Sequence, residues 1–381
     1  MDKSIFDATT SKPLRFNNGK LRIMHITDTH LGKDNTKFSL KLMEHALDRE
    51  KPDAVVVTGD TISSDCDREE VFERTRQFMW LFQNRNIPVA LTFGNHDSES
   101  GVVTRQELMA CYNEFSCSIS VDEGDIMDGC GTYNVPVLAS DSDDMKFNLW
   151  IFDSGDYDHE GKYANVTEEK IEWYKEKSAE YEKMYGRKIY SLAFQHIIVP
   201  ESYAALKVVK FCTPYTYKGI YQYDSYYRFD PKNQNYGLFH EKPCCGAINH
   251  GQFDALVERG DCLAIFSGHD HTNAFGVKHK GIDIVNSLST RYQDDCFSTQ
   301  YGYRMITVDE SNTSRYKTKV VRWYDVYKLK TLKYYKDKDE VTAAVAKSVA
   351  VKSLRERFLH TSGHLIVNIF GLRKVKYRDC D

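Results

Sequence analysis

LRIMHITDTH (Leu21–His30), AVVVTGD (Ala54–Asp60) and PVALTFGNHD (Pro88–Asp97) decide the fold of this chain. Each begins as a short aliphatic run and ends in a polar cluster. The runs Leu21–Thr27, Ala54–Thr58 and Pro88–Thr92 have the length and the β-branched content of buried strands. Between them lie two amphipathic patterns, Phe38–Arg49 and Glu69–Gln83, which read as helices. Strand–helix–strand alternation predicts an α/β core with parallel strands. Ligands of open α/β sheets sit beyond the carboxyl ends of strands. The polar clusters Asp28-Thr29-His30, Gly59-Asp60 and Gly94-Asn95-His96-Asp97 are therefore where chemistry is expected.

The pattern continues outward from this core. Thr132–Leu138, Phe147–Phe152 and Ile189–Phe194 read as strands, with a charged helix at Thr167–Tyr185. The last of these strands ends at Gln195-His196. A helix at Gly251–Arg259 leads to the strand Cys262–Phe266, which ends at Gly268-His269-Asp270-His271. Short strands at Ala274–Val277, Ile282–Val285, Arg304–Val308 and Thr318–Trp323 are expected to form the second sheet of a sandwich. The Tyr-rich stretch 203–239 shows no clear period and reads as a long ordered loop or lid. The domain boundary is placed at residue 328. Beyond it, 329–381 reads as a basic helical extension, with an Ala-, Val- and Lys-rich helical pattern at Glu340–Leu359 and an apolar run at His364–Leu372 that leads into Arg373, Lys374, Lys376 and Arg378.

The strand ends share one chemical property. Asp28, His30, Asp60, Asn95, His196, His269 and His271 are all good ligands for divalent metals: imidazole and carboxylate suit Zn, Fe and Mn, and a carboxamide oxygen suits the harder ions. Asp28 and His30 stand at i and i+2, which on an extended chain places both on one side; His269 and His271 repeat that spacing. Glycines precede three of the clusters and are expected to permit sharp strand exits. Taken singly, each piece has an ordinary structural explanation, and His196 alone reads equally well as a core histidine. The ordered set, with each member after an expected strand, carries the signal.

That ordered set, Asp-x-His, Gly-Asp, Gly-Asn-His-Asp, a lone His and Gly-His-x-His, spans about residues 21 to 309 and resembles the calcineurin-like metallophosphoesterases. Lys51-Pro52-Asp53, Gly94–Ser100 with Thr104-Arg105, Phe152-Asp153-Ser154-Gly155-Asp156-Tyr157 and Gly268–His271 are similar to purple-acid-phosphatase-like proteins of plant and yeast type. The resemblance implies a four-layer αββα sandwich of two mixed β-sheets flanked by helices. It also implies two divalent metal ions (Mn, Fe, Zn or Mg). Asp28, His30 and His271 would hold the first, Asn95, His196 and His269 the second, and Asp60 would bridge both. His96 would face the substrate phosphate and leaving group, with Asp97 orienting it. The implied reaction is hydrolysis of a phosphate monoester by metal-bound hydroxide. Ser63 stands where purple acid phosphatases carry a tyrosine ligand, so a colourless centre is expected.

Composition bounds the rest. The chain has 381 residues, 41% hydrophobic and 28% charged, which is a globular composition with ample core. A net charge of −4 gives no strong nucleic-acid signal. Residues 321–381 hold 14 Lys and Arg against 7 Asp and Glu, so the remaining 320 carry −11. This tail could contact a membrane surface or a protein, or simply dock on the body. The N-terminus lacks the apolar core of about 7–15 residues that a signal peptide needs, and no stretch reaches about 18 apolar residues. The ten cysteines are irregularly spaced and read as free thiols, so a cytoplasmic protein is expected. The expected substrate is a phosphorylated small molecule, a nucleotide or a phosphoprotein. A phosphodiesterase on the same fold and a non-catalytic scaffold are the alternatives.

Overall fold

The computed structural model describes residues 7–211, 213, 216–230, 236–292 and 301–326. The calls on the 329–381 extension, its helix and its basic run lie outside the described residues. So does Tyr215 of the Tyr-rich stretch.

The aliphatic runs form strands that are buried on both faces. Val55, Val56 and Val57 of the Ala54–Thr58 strand are wholly inaccessible to solvent. Together with Lys20–Ile26 and Val89–Thr92 it makes the parallel centre of a five-stranded sheet. The order in that sheet is Asn312–Arg322, Gly302–Asp309, Lys20–Ile26, Ala54–Thr58, Val89–Thr92. A second sheet has eight strands in the order Leu14–Arg15, Tyr133–Leu138, Met145–Ile151, Ser191–Phe194, Cys262–Ser267, Ile282–Asn286, Ala274–His279, Tyr236–Leu238. Both sheets are mixed: Gly302–Asp309 runs antiparallel to Lys20–Ile26, and Tyr133–Leu138 antiparallel to Met145–Ile151.

Alternation along the strands creates the layers. Leu149 and Ile151, Leu192 and Phe194, and Ala264 and Phe266 face the five-stranded sheet and pack with Ile23, Val56 and Ala90. Their neighbours Trp150, Ala193 and Ile265 face the other way, onto Ile171, Tyr174 and Tyr181 of the helix Glu168–Tyr185 and Phe253 and Leu256 of the helix Gln252–Arg259. Side chains two residues apart share a face, which gives each strand two different hydrophobic partners. Helices Thr36–Glu50, Arg68–Gln83 and Arg105–Asn113 belong to the first half of the chain, and the latter two open with complete capping boxes, from Asp67 and Thr104. The result is the four-layer αββα sandwich.

Two expectations need correcting. The late strands do not all join the second sheet. Ala274–His279 and Ile282–Asn286 do, but Gly302–Asp309 and Asn312–Arg322 return to the first and extend its edge. Nor is the Tyr-rich stretch a plain loop. Leu206–Val209, Tyr226–Phe229 and Tyr217–Lys218 form a small antiparallel sheet, and Tyr236–Leu238 adds to the edge of the large one. Its tyrosines pack on each other, with Tyr203 and Tyr223 stacked at 3.8 Å and 3°. Among the described residues seven cysteines are present, all buried and none in a disulfide. No helix among those residues is long and apolar enough to cross a membrane.

Candidate metal centre

The candidate ligands all lie on loops at the carboxyl ends of strands, and those loops pack tightly. A Cβ on Gly94 would stand 2.1 Å from Asp60 Oδ1, and one on Gly268 only 1.9 Å from Thr27 Oγ1. Glycine at these two positions therefore serves close approach. Only Gly59, at φ 84°, also uses the left-handed conformation expected of a strand exit. The polar residues themselves carry the strain: Asp28 (φ 52°), His30 (φ 39°), Asp60 (φ 50°) and His269 (φ 68°) are all left-handed. Non-glycine residues hold such angles only where the surroundings over-determine them, typically at functional sites. Asp28 and His30 thus converge through curled backbone, not by sharing one side of an extended chain.

Two groups of side chains result. Asp28, His30, Asp60 and His271 bring one ligand atom each within 4.8 Å of the others, and so do Asp60, His196 and His269. Asp60 belongs to both. His30 Nε2 lies 3.1 Å from His271 Nε2, and His269 Nδ1 lies 3.2 Å from His196 Nε2. Two nitrogens bound at about 2.0–2.1 Å to one ion would be about 2.9 Å apart at a right angle and about 3.3 Å apart at a tetrahedral one. The imidazole pairs fall in that interval.

Asp28, Asp60, His196 and Asn95 are each braced through one atom and turn another toward the site. Asp28 Oδ2 accepts from Thr27 Oγ1 (2.6 Å) and the His269 amide (3.0 Å), while Oδ1 has no hydrogen-bond partner. Asp60 Oδ1 accepts from the His96 amide at 2.9 Å; Oδ2 lies 3.1 Å from His196 Nε2 without hydrogen-bond geometry. His196 Nδ1 donates to the Thr58 carbonyl at 2.7 Å, which orients the ring with Nε2 turned inward. Asn95 Nδ2 donates to Tyr157 Oη at 3.0 Å, and Asn95 Oδ1 is buried and accepts no hydrogen bond. His25 supplies an internal contrast. It is equally buried, but Ser287 and Thr58 hydroxyls satisfy both of its nitrogens at 2.9 Å. Buried polar atoms without partners are costly. Three oxygens of this kind on separate loops, from Asp28, Asp60 and Asn95, fit cations bound between them.

Burial and neighbouring charge set the protonation of the donors. Burial pushes the His30 and His269 imidazoles down, His269 to about 3, so both stay neutral and able to ligate. Burial acts against the charged form of His196 too, but the Asp60 carboxylate outweighs it and raises that imidazole to about 9, so a cation held there would take the place of a proton. For Asp28 and Asp60 burial opposes ionisation, yet the surrounding histidines hold both carboxyls below the usual range, as His271 and His196 do for Asp28 and His196 does for Asp60.

The role expected of Asp97 is wrong. Its carboxylate does not reach the His96 ring. It accepts the backbone amides of Asp60 (2.8 Å), Thr61 (2.9 Å) and Gly94 (2.8 Å), pinning two ligand loops together. Glu99, three residues beyond His96, accepts from His96 Nδ1 instead. Burial would lower the His96 pKa, but the Asp60 and Glu99 carboxylates raise it overall. The His96 ring lies 5.2 Å from that of His30 and keeps 15% of its side chain exposed, so it stands at the mouth of the site.

Arg105 is largely enclosed, with 10% of its side chain exposed. It pairs with Asp153 at 2.6 Å and donates to the Gly94 carbonyl at 3.0 Å. Asp153 also pairs with Lys170 at 2.9 Å and accepts the Gly155 amide at 2.9 Å, so it both braces the site and makes the local turn. Arg291 stands 5.6 Å from the Tyr301 ring centroid, and its charge reaches His30. Sequence reasoning assigned no role to Glu99 or Tyr157. The i+3 spacing of Glu99 from His96 was the available signal, and Tyr157 closes the quoted Phe152–Tyr157 stretch.

This chain is similar to several known proteins. "Probable inactive purple acid phosphatase 14" of Arabidopsis thaliana is 27% identical over 86% of this chain and 84% of its own length. "Probable inactive purple acid phosphatase 29" of the same plant is 25% identical over 86% and 85%. Among solved structures, a dimetal phosphatase from Danio rerio covers 78% of this chain and 98% of its own, at 13% identity and a TM-score of 0.48. The model of the calcineurin-like phosphoesterase family matches residues 21–273, which takes in every strand end from Asp28 to His271. Its motifs, and the loops that gather them at one end of the paired sheets, place this chain in the calcineurin-like phosphoesterase family.

Proposed function

We propose that this protein is a working dinuclear-metal phosphoesterase that hydrolyses phosphate monoesters. One observation carries the reading: Asp28 Oδ1, Asp60 Oδ2 and Asn95 Oδ1 are buried, accept no hydrogen bond and lie on three separate loops. Asp28, His30 and His271 would hold one ion, Asn95, His196 and His269 the other, and Asp60 both. Two such ions supply Lewis acidity toward phosphate oxygens and acidify water near neutral pH. The chain's own contribution is preorganisation: three backbone amides on Asp97 and one on Asp60 Oδ1 fix the ligand loops before substrate arrives. His96, held at Nδ1 by Glu99 and biased toward its charged form, can donate a proton to the departing oxygen.

The names of the Arabidopsis relatives favour a second reading, a fold retained for binding without turnover. Against it stands the complete donor set with His96 beside it, since a non-catalytic scaffold has no use for strained left-handed ligands. The deciding experiment strips the protein of metal, reloads it with Mn, Fe, Zn or Mg, counts bound ions, and assays a phosphomonoester beside a bis-phosphodiester. Two ions per chain with monoester cleavage is the expected result. Two ions with no cleavage of either ester under any loading establishes the scaffold, and preference for the diester moves the reading to a phosphodiesterase.

A further inference from the structure

The two ends of a carboxamide are nearly identical in shape, so covalent structure alone does not decide which end of Asn95 faces the ions. A cation needs the oxygen lone pairs; the NH2 group would repel it. We propose that Tyr157 and Glu99 are positioning residues that lock Asn95 with its oxygen inward and tie that ligand to His96 through one shared carboxylate. The proposal rests on the phosphoesterase reading above.

The hydrogen bonds have only one consistent direction. Glu99 as a carboxylate accepts only. Its Oε2 takes the Tyr157 hydroxyl proton at 3.1 Å, and its Oε1 takes the proton of His96 Nδ1. The Tyr157 oxygen has then spent its single proton and can only receive, which it does from Asn95 Nδ2 at 3.0 Å. Asn95 Oδ1 is left pointing into the protein with no partner among protein atoms. Tyr157 holds its place without help from its hydroxyl, because its ring stacks on Tyr163 at 5.6 Å and 25°, and Tyr163 in turn stands edge-on to His269 at 4.4 Å. Removing the hydroxyl should therefore leave the ring packed and free the amide to turn.

Tyr157→Phe isolates that effect. In the metal-free protein its thermal unfolding should match the parent. On titration with Mn, one ion should bind as before and the other about 10- to 100-fold more weakly, the usual cost of removing a group that orients a ligand. Glu99→Gln keeps an oxygen that accepts from Tyr157 but loses the anionic acceptor at His96. It should retain both affinities and lose turnover. If Tyr157→Phe binds both ions with parental affinities, the proposal is overturned.

A second readout needs no metal. The Asn95 side-chain NH2 signal, identified by its loss in Asn95→Asp, should exchange slowly with solvent in the metal-free parent and rapidly in Tyr157→Phe. Equal exchange in both overturns the proposal. A parent that binds no pair of ions brings down the phosphoesterase reading instead, and the relay is then judged by the amide signal alone.

Discussion

Asp97→Asn distinguishes a carboxylate that orients His96 from one that staples the active-site loops. Asp97 is 5% exposed and gives Oδ2 to the Asp60 and Gly94 amides and Oδ1 to the Thr61 amide. Burial and the Asp60 charge raise its carboxyl pKa, and the Gly94 and Thr61 amides pull it back. Asparagine is isosteric but has one acceptor oxygen. If that oxygen takes the Oδ2 position, two amides keep a partner, weakened because charge assistance roughly doubles a hydrogen bond. The Thr61 amide then meets an NH2 group, and a buried donor left unsatisfied costs about 1–3 kcal/mol. The total is about 2–4 kcal/mol, set by one lost bond and two weakened ones. At roughly 2–4 °C per kcal/mol, the melting temperature should fall by about 4–16 °C. The assay is thermal unfolding followed by circular dichroism in excess chelator, so that bound ions do not contribute. Metal titration of the same variant should show both sites weakened, because Asp60 and Gly94-Asn95 are the loops being held. A variant that melts within 1 °C of the parent and binds both ions normally, with only turnover reduced, would refute the staple and restore the orienting role.

Other variants separate the remaining roles. His96→Ala should lower turnover by about 10²–10⁴, the range for a lost general acid, with two ions still bound by elemental analysis; loss of an ion would make His96 a ligand. Asp60→Asn should weaken ion binding in both groups at once, read by calorimetric titration, because its carboxylate belongs to both. Asp153→Asn tests the buried Arg105–Asp153–Lys170 cluster, whose side chains are 10%, 2% and 3% exposed. Burial would raise the Asp153 carboxyl pKa, but Arg105 and Lys170 hold it below the usual range. A depressed carboxyl adds stability above the unfolded-state pKa and loses it as pH falls through the folded value. Urea unfolding should therefore show the variant about 3–5 kcal/mol weaker near neutrality. That gap should narrow below about pH 4; a gap that stays constant down to pH 3 would refute the ion-pair account.

Much of this protein is legible in local pattern. The aliphatic runs at Leu21–Thr27 and Ala54–Thr58 announce strands because their residues suit a pleated layer buried on both faces, and the structure shifts the first by one residue and keeps the second. The polar residues that follow each run mark the site because parallel strands deliver their carboxyl ends to one edge. Pairing between distant segments is a different matter. Gly302–Asp309 and Ala274–His279 have similar composition, yet one joins the first sheet and the other the second. That choice depends on which edge each meets after the chain has turned, and no local propensity encodes it. The same holds for Asp97 and Glu99, two acids in one motif. Which of them meets His96 and which meets the Asp60 amide follows from where the Gly59-Asp60 loop lies, held by contact at Gly94. Residue types and spacing by themselves determined the strands, the family motifs and the candidate ligands. Tertiary packing alone decided which atom of each ligand turns inward, because that is set by hydrogen-bond partners supplied from loops far away in the chain.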